Sequence, residues 1–182
     1  MSVAGSTATE RKEARRPVSL RERASAFFTL TKPGITRLIV FSTGTGYYVA
    51  SGGRLDWTML HAVIGTALVC GGASALNEYV EREIDERMPR TRARPLPAGA
   101  VTPREAVVFA WAISLIGLVY LWQTVNLATV AVVAASLVSY VFLYTPLKRR
   151  TTVATLVGAI PGALPMMAGW TATGRPLELG AW

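Results

Sequence analysis

The sequence predicts an all-α integral membrane protein, a bundle of transmembrane helices. Of its 182 residues, 51% are hydrophobic and only 16% are charged, whereas a soluble domain carries about a quarter charged residues. The apolar residues form long segments, each close to the roughly 20 residues that cross a hydrocarbon core, and the charges lie in blocks between them. Together these observations favour a lipid-embedded bundle over a soluble core.

The first 30 residues predict a basic cytoplasmic tail that ends in an interfacial helix over Leu20–Leu30. The tail has no apolar stretch near its start, so it does not resemble a cleaved secretory signal. We assign residues 31–182 to one transmembrane domain. We expect this domain to be incomplete at its C-terminus, because five spans are an odd number.

The five predicted spans follow one another with short connections on one side of the membrane. They are Ile35–Ser51, Thr58–Leu76, Glu105–Gln123, Leu127–Thr145 and Thr152–Thr171. Glycine and proline occur inside them, which spanning helices tolerate where neighbouring helices satisfy the freed backbone groups. A buried soluble helix could explain one such segment but not five in succession.

The cations are distributed asymmetrically about these spans. On the predicted topology, 17 of the 19 Lys and Arg residues lie on one side, and only Arg54 and Arg175 lie on the other. The positive-inside rule therefore places the N-terminus and both basic connections in the cytoplasm. A nucleic-acid partner is unnecessary to explain the net charge of +8.

The first cytoplasmic connection, Asn77–Arg104, is long and highly charged. Its first part has good helical propensity, so the second span should continue beyond the bilayer as a polar helix. Pro89 should end or kink that helix. An irregular segment should follow until Thr102 or Pro103 begins the third span.

Asn77, Glu81 and Asp85 are spaced four residues apart in this polar extension. On an α-helix this spacing stacks the three side chains on one face. Mg²⁺ takes one or two carboxylates and leaves other positions to water and substrate phosphate, so the pattern suits a metal-bridged diphosphate.

A second interpretation of the same segment stays open at this point. Three acid-to-base pairs at i,i+4 spacing could make it a solvated, salt-bridged helix face. These pairs are Glu78–Arg82, Glu83–Arg87 and Glu86–Arg90.

The residues that follow extend this pattern into a longer motif. Met88, Arg90, Thr91, Arg94, Pro95 and Leu96 continue it, and Tyr144 and Lys148 form a second element after the fourth span. These motifs resemble those of the UbiA superfamily of intramembrane prenyltransferases, and most closely the haem O synthase branch. The resemblance covers about Leu30–Gly174. The superfamily pattern has Asp at the position of Glu81, which is also an oxygen ligand but is one methylene longer.

The resemblance implies a nine-span fold, of which this chain matches about the first five. It implies transfer of a farnesyl group from farnesyl diphosphate to a vinyl group of haem B in the bacterial plasma membrane. Mg²⁺ would be held by Asn77, Glu81 and Asp85. The diphosphate would also be bound by a further set of residues: Arg90, Arg94, Tyr144, Lys148 and Arg149. Candidate protein partners are haem A synthase or a second copy of the chain.

The family also has a second Asp-rich motif on a later helix, and this chain has no Asp after Asp85. We therefore expect the 182-residue chain to be inactive alone. Other acceptors, namely a quinone precursor or chlorophyllide, stay open, as does a non-catalytic membrane subunit or transporter fragment. In a transporter, polar residues would be expected near the middle of the membrane rather than at one mouth.

Overall fold

The computed structural model describes residues 19–148 and 151–178, and within these ranges every regular element is a helix. Helix α1 (Leu20–Leu30) begins with a capping box, in which Ser19 and Glu22 each bond the other's backbone N–H. It ends where predicted. Lys32 then adopts a left-handed conformation, with φ of 47°, that turns the chain into α2 (Pro33–Ala50). Pro33 fits at the start of α2 because the first helical N–H needs no partner.

Helix α3 (Trp57–Arg87) is the longest element, with 31 residues. At 1.5 Å per residue it is about 46 Å long, so it exceeds a hydrocarbon core of about 30 Å by several turns. Asp56 caps its first turn by accepting a hydrogen bond from Met59 N, and it ends two residues before Pro89. The predicted polar extension of the second span is confirmed.

The second half of the chain begins with α4 (Pro103–Thr124), which has a capping box between Thr102 and Glu105. Helix α5 (Leu127–Val138) runs into a π-helical segment (Ser139–Tyr144) and the short α6 (Thr145–Leu147). Helix α7 (Ala154–Ala172) contains Pro161 and Pro165 in its interior.

The five predicted spans coincide with five helical stretches. Three of them are long and apolar enough to cross a membrane on length and composition, namely Trp57–Arg87, Pro103–Thr124 and Leu127–Leu147. Helices α2 and α7 have 18 and 19 residues. Arg37 and several Gly and Thr residues make α2 less apolar, and α7 has Gly and Pro residues along its length.

Helix α3 lies at the centre of the bundle and packs against α2, α4, α5 and α7. Helices α2 and α7 approach so closely that glycine is required at two positions. A Cβ on Gly46 would collide with the backbone of Met166, and one on Gly169 would collide with the backbone of Thr43 and Tyr47. This crossing lies in the half of the bundle away from the polar extension of α3.

Candidate functional site

Asn77, Glu81 and Asp85 lie on the face of α3 that is turned into the bundle. Their exposed fractions are 2%, 8% and 4%. The interpretation of this face as a solvated surface is therefore wrong for these three residues. The prediction of i,i+4 ion pairs is also wrong, because the described residues contain none of the three pairs.

Each of the three side chains is bonded by a cation that comes from a different element. Lys32 Nζ donates to Asn77 Oδ1 at 2.6 Å, Arg94 Nη1 to Asp85 Oδ2 at 2.5 Å, and Lys148 Nζ to Glu81 Oε1 at 3.1 Å. The cations come from the α1–α2 turn, the loop of residues 88–102 and the end of α6. The folded chain thus assembles a ring of three cations around one helix face, which we call the cation ring.

Lys32 belongs to this ring although sequence reasoning did not select it as a site residue. Its left-handed backbone at the α1–α2 turn accompanies a side chain that reaches Asn77 across 45 residues of sequence. Burial lowers the pKa of the Lys32 ammonium, and the nearby guanidinium of Arg94 lowers it further. The signal in the sequence that could have identified Lys32 was its position in the run Thr31–Gly34, directly before the first span.

The loop of residues 88–102 is fixed to α3 by three hydrogen bonds that involve side chains. Besides the Arg94 contact, Thr91 Oγ1 donates to the backbone oxygen of Asp85 at 2.9 Å. The N–H of Leu96 donates to Glu78 Oε1 at 3.3 Å, and Glu78 is only 1% exposed. Glu78 therefore holds the loop, whereas its spacing had suggested a surface pair with Arg82.

The π-helical segment places two aromatic rings beside the acidic face. Tyr140 and Tyr144 are stacked, with ring centroids 5.7 Å apart. Thr145, which follows, accepts a hydrogen bond from Asn77 Nδ2 at 3.2 Å. π-Helical turns inside α-helices often occur at functional sites, and here the turn brings Tyr144 and Lys148 toward α3.

Two other predicted site residues are outside this cluster. Arg90 is exposed and makes no ion pair within the described ranges. Arg149 lies outside the described residues. The structure thus brings together Asn77, Glu81 and Asp85 with Arg94 and Lys148, and it adds Lys32.

An apolar cavity of about 290 Å³ opens next to this site and runs into the bundle. It is enclosed by α2, α3, α5 with the π-helical segment, and α7. The residues that line it in the part nearest the site are Ile35, Ser74, Tyr140, Tyr144 and Gly158. Gly158 leaves room for the ring of Tyr144, since a Cβ there would lie 2.7 Å from that ring.

The donor set fits a hard divalent cation that shares its coordination with a ligand. Two carboxylates and one amide oxygen face one side of α3, and Mg²⁺ usually takes few protein ligands and completes its shell with water and phosphate. Within the described residues no group of three or more His, Cys, Asp or Glu residues could hold a metal by itself. The arrangement therefore suits a metal that arrives with an anionic ligand, and the cation ring suits the same ligand.

Comparisons with a family model and with known proteins point to the same protein family. The model of the UbiA prenyltransferase family matches residues 39–182. Proteins named protoheme IX farnesyltransferase are similar to the chain. The one from Solibacter usitatus is 44% identical and the alignment covers 86% of this chain and 57% of the relative. Those from Anaeromyxobacter sp. and Myxococcus xanthus are 42% and 40% identical, with 91% and 92% of this chain and 55% and 57% of the relatives covered.

A solved structure described as "Structural and mechanistic insights into the biosynthesis of Digeranylgeranylglyceryl phosphate synthase in membranes" has the same fold. Its TM-score is 0.76 at 18% identity, with 83% of this chain and 53% of that chain covered. The chain spans about half the length of the curated relatives it matches. From the match over residues 39–182 and the identities of 40–44%, the chain belongs to the UbiA prenyltransferase family.

Proposed function

We propose that this chain forms the diphosphate-binding part of an enzyme that transfers a farnesyl group from farnesyl diphosphate to a vinyl group of haem B, giving haem O. The observation that carries the proposal is the buried face of Asn77, Glu81 and Asp85 with the cation ring around it. Such a face can bind a metal and a polyanion together. The names of the relatives indicate the donor and the acceptor.

Asn77, Glu81 and Asp85 would hold Mg²⁺, which when bound offsets the negative charge of the leaving diphosphate. Lys32, Arg94 and Lys148 would contribute the remaining positive charge. In the described structure each of these cations is bonded to one of the three α3 side chains. We propose that they turn from those oxygens to phosphate oxygens when the diphosphate enters, with Arg90 and Arg149 supporting them from the loops.

The apolar cavity would hold the farnesyl chain with its reactive carbon at the Tyr140–Tyr144 end. Breaking the bond between this carbon and the diphosphate oxygen leaves the electron pair on the diphosphate. The outer carbon of the haem B vinyl group then bonds to the farnesyl carbon, which leaves a positive charge on the inner vinyl carbon. Water adds to that inner carbon and becomes the hydroxyl of the hydroxyethylfarnesyl product, and the proton that the water loses goes to the released diphosphate. Positive groups placed where the leaving-group charge develops lower the barrier. The apolar walls keep water away from the allylic cation until the new carbon–carbon bond forms.

We also propose the setting of this reaction. The cation distribution supports a cytoplasmic N-terminus and a cytoplasmic site. We place the chain in the bacterial plasma membrane, with residues 1–30 as a basic tail and residues 31–182 as the prenyltransferase domain. Haem A synthase, which would use the product, or a second copy of the chain are the proposed protein partners.

The experiment that tests this function uses a chimera, because the curated relatives are longer than the chain. Residues 1–182 replace the matching part of the Solibacter usitatus relative, and membranes containing the chimera receive haem B, farnesyl diphosphate and Mg²⁺. We expect haem O by mass spectrometry, and none from the Asp85→Ala chimera. Haem O formation by the Asp85→Ala chimera would overturn the site assignment. A chimera that binds farnesyl diphosphate but forms no haem O would contradict the proposed transfer.

A further inference from the structure

The apolar cavity has a definite far end, away from the site. The lining residues farthest from the site are Ser42 on α2, Thr66 on α3, Val133 on α5 and Pro165 on α7. Just beyond them, α2 and α7 are in backbone contact at Gly46 and Gly169. Because backbone atoms form this contact, side-chain movement cannot open a path between α2 and α7. On that side the cavity ends at the crossing, and at the same level its α3 side is lined by Thr66.

The depth of the cavity can be measured along α3. Thr66 precedes Asn77 by about three helical turns, which is about 16 Å along the axis. An extended farnesyl chain has a twelve-carbon backbone about 14 Å long, judged from standard carbon–carbon bonds. A geranyl chain is one isoprene unit shorter, and a geranylgeranyl chain is one unit longer at about 19 Å. The distance from the site to Thr66 thus matches three isoprene units.

From this match we propose that Thr66 is the residue that sets the longest prenyl chain the cavity accepts. The inference rests on the proposed function, since it takes the diphosphate to be held at Asn77, Glu81 and Asp85. Thr66 contacts the third and last isoprene unit of a bound farnesyl chain and selects against a chain with a fourth unit. It is a specificity-determining residue and takes no part in breaking the carbon–oxygen bond.

Two features distinguish Thr66 from Ser42, the other hydroxyl-bearing residue at the far end. It is 4% exposed, and its Oγ1 has no hydrogen-bond partner among the described residues, whereas Ser42 Oγ donates to the backbone oxygen of Leu38. A substitution of Thr66 therefore changes the shape of the cavity end without breaking a hydrogen bond. Buried Thr43 also has an unpartnered Oγ1 but does not line the cavity.

The test measures binding of diphosphates of increasing chain length to the 182-residue chain in lipid nanodiscs with Mg²⁺. The ligands are inorganic diphosphate and the geranyl, farnesyl and geranylgeranyl diphosphates. For the unchanged chain we expect affinity to increase up to farnesyl and to fall at geranylgeranyl. Thr66→Leu should weaken farnesyl diphosphate binding about tenfold or more, as expected for an overfilled apolar pocket. It should leave geranyl and inorganic diphosphate binding unchanged.

Thr66→Ala provides the opposite change and does not depend on accommodating a larger side chain. It should improve geranylgeranyl diphosphate binding relative to farnesyl. Thr66→Val is the matched control, because it keeps the shape of the side chain and removes only the hydroxyl. Its order of affinities for the three prenyl diphosphates should be that of the unchanged chain. If Thr66→Leu also loses binding of inorganic diphosphate, the inference is tested by the chain-length order measured for Thr66→Ala.

An unchanged chain-length order in Thr66→Ala, or a shifted order in Thr66→Val, would overturn the inference while leaving the proposed function in place. Failure of the unchanged chain to bind any prenyl diphosphate would instead refute the proposed function.

Discussion

Among the residues of the candidate site, substitution of Asp85 gives the clearest test of the proposed metal and diphosphate binding. Asp85→Asn removes one negative charge and keeps the size of the side chain. Its side chain is only 5% exposed, and the amide oxygen of Asn could still accept the hydrogen bond from Arg94. The loop contact should therefore survive, so the variant tests the charge rather than the fold.

The size of the effect follows from the burial of this carboxylate. Removing one member of a desolvated, hydrogen-bonded charge pair costs about 2–5 kcal/mol in binding. A mid-range loss of about 3 kcal/mol corresponds to more than a hundredfold in the dissociation constant. We expect Asp85→Asn to weaken Mg²⁺-dependent binding of farnesyl diphosphate by about this factor.

Glu83 is the matched control on the same helix. Its side chain is 75% exposed and, among the described residues, is paired only with Arg82. Exposed pairs contribute at most about 1 kcal/mol, so Glu83→Gln should bind within about fivefold of the unchanged chain. Equilibrium binding of labelled farnesyl diphosphate in nanodiscs measures both variants. Equal affinities for Asp85→Asn and Glu83→Gln would refute the assignment of Asp85.

Three further predictions test the loop, the packing and the topology. Glu78→Ala should free the N–H of Leu96 and increase protease cleavage within residues 88–102, whereas Glu78→Gln should retain the bond and resist cleavage. Gly169→Ala should lower the melting temperature, since its Cβ meets backbone atoms and overpacking typically costs about 1–3 kcal/mol. Cysteines introduced at Arg92 and Arg54 should react with an impermeant reagent from opposite sides of the membrane, and reaction from the same side would contradict the cytoplasmic orientation.

The sequence predicted the helices well because their signals are local. Apolar segments of membrane length mark the spans, Thr102 or Pro103 marks the start of α4, and Pro89 marks the end of α3. The stacking of Asn77, Glu81 and Asp85 also follows from helical geometry alone.

The contacts of these residues could not be predicted from local patterns. Glu78 has an arginine four residues on, yet it is buried and bonds the backbone of Leu96, because the loop folds back over α3. Lys32 reaches Asn77 only through the tertiary packing of α1, α2 and α3. The π-helical segment has no sequence signal of its own, although it positions Tyr144 and Lys148. Which cation bonds which side chain is thus decided by the bundle as a whole.

The central claim is that the buried face of α3 binds a metal and a diphosphate together. The most direct measurement is the affinity of the 182-residue chain for farnesyl diphosphate, in nanodiscs, with Mg²⁺ and after its removal by a chelator. We predict saturable binding with Mg²⁺ that is lost on chelation and restored when Mg²⁺ is added back. Farnesyl diphosphate binding of equal strength with and without Mg²⁺ would contradict the account.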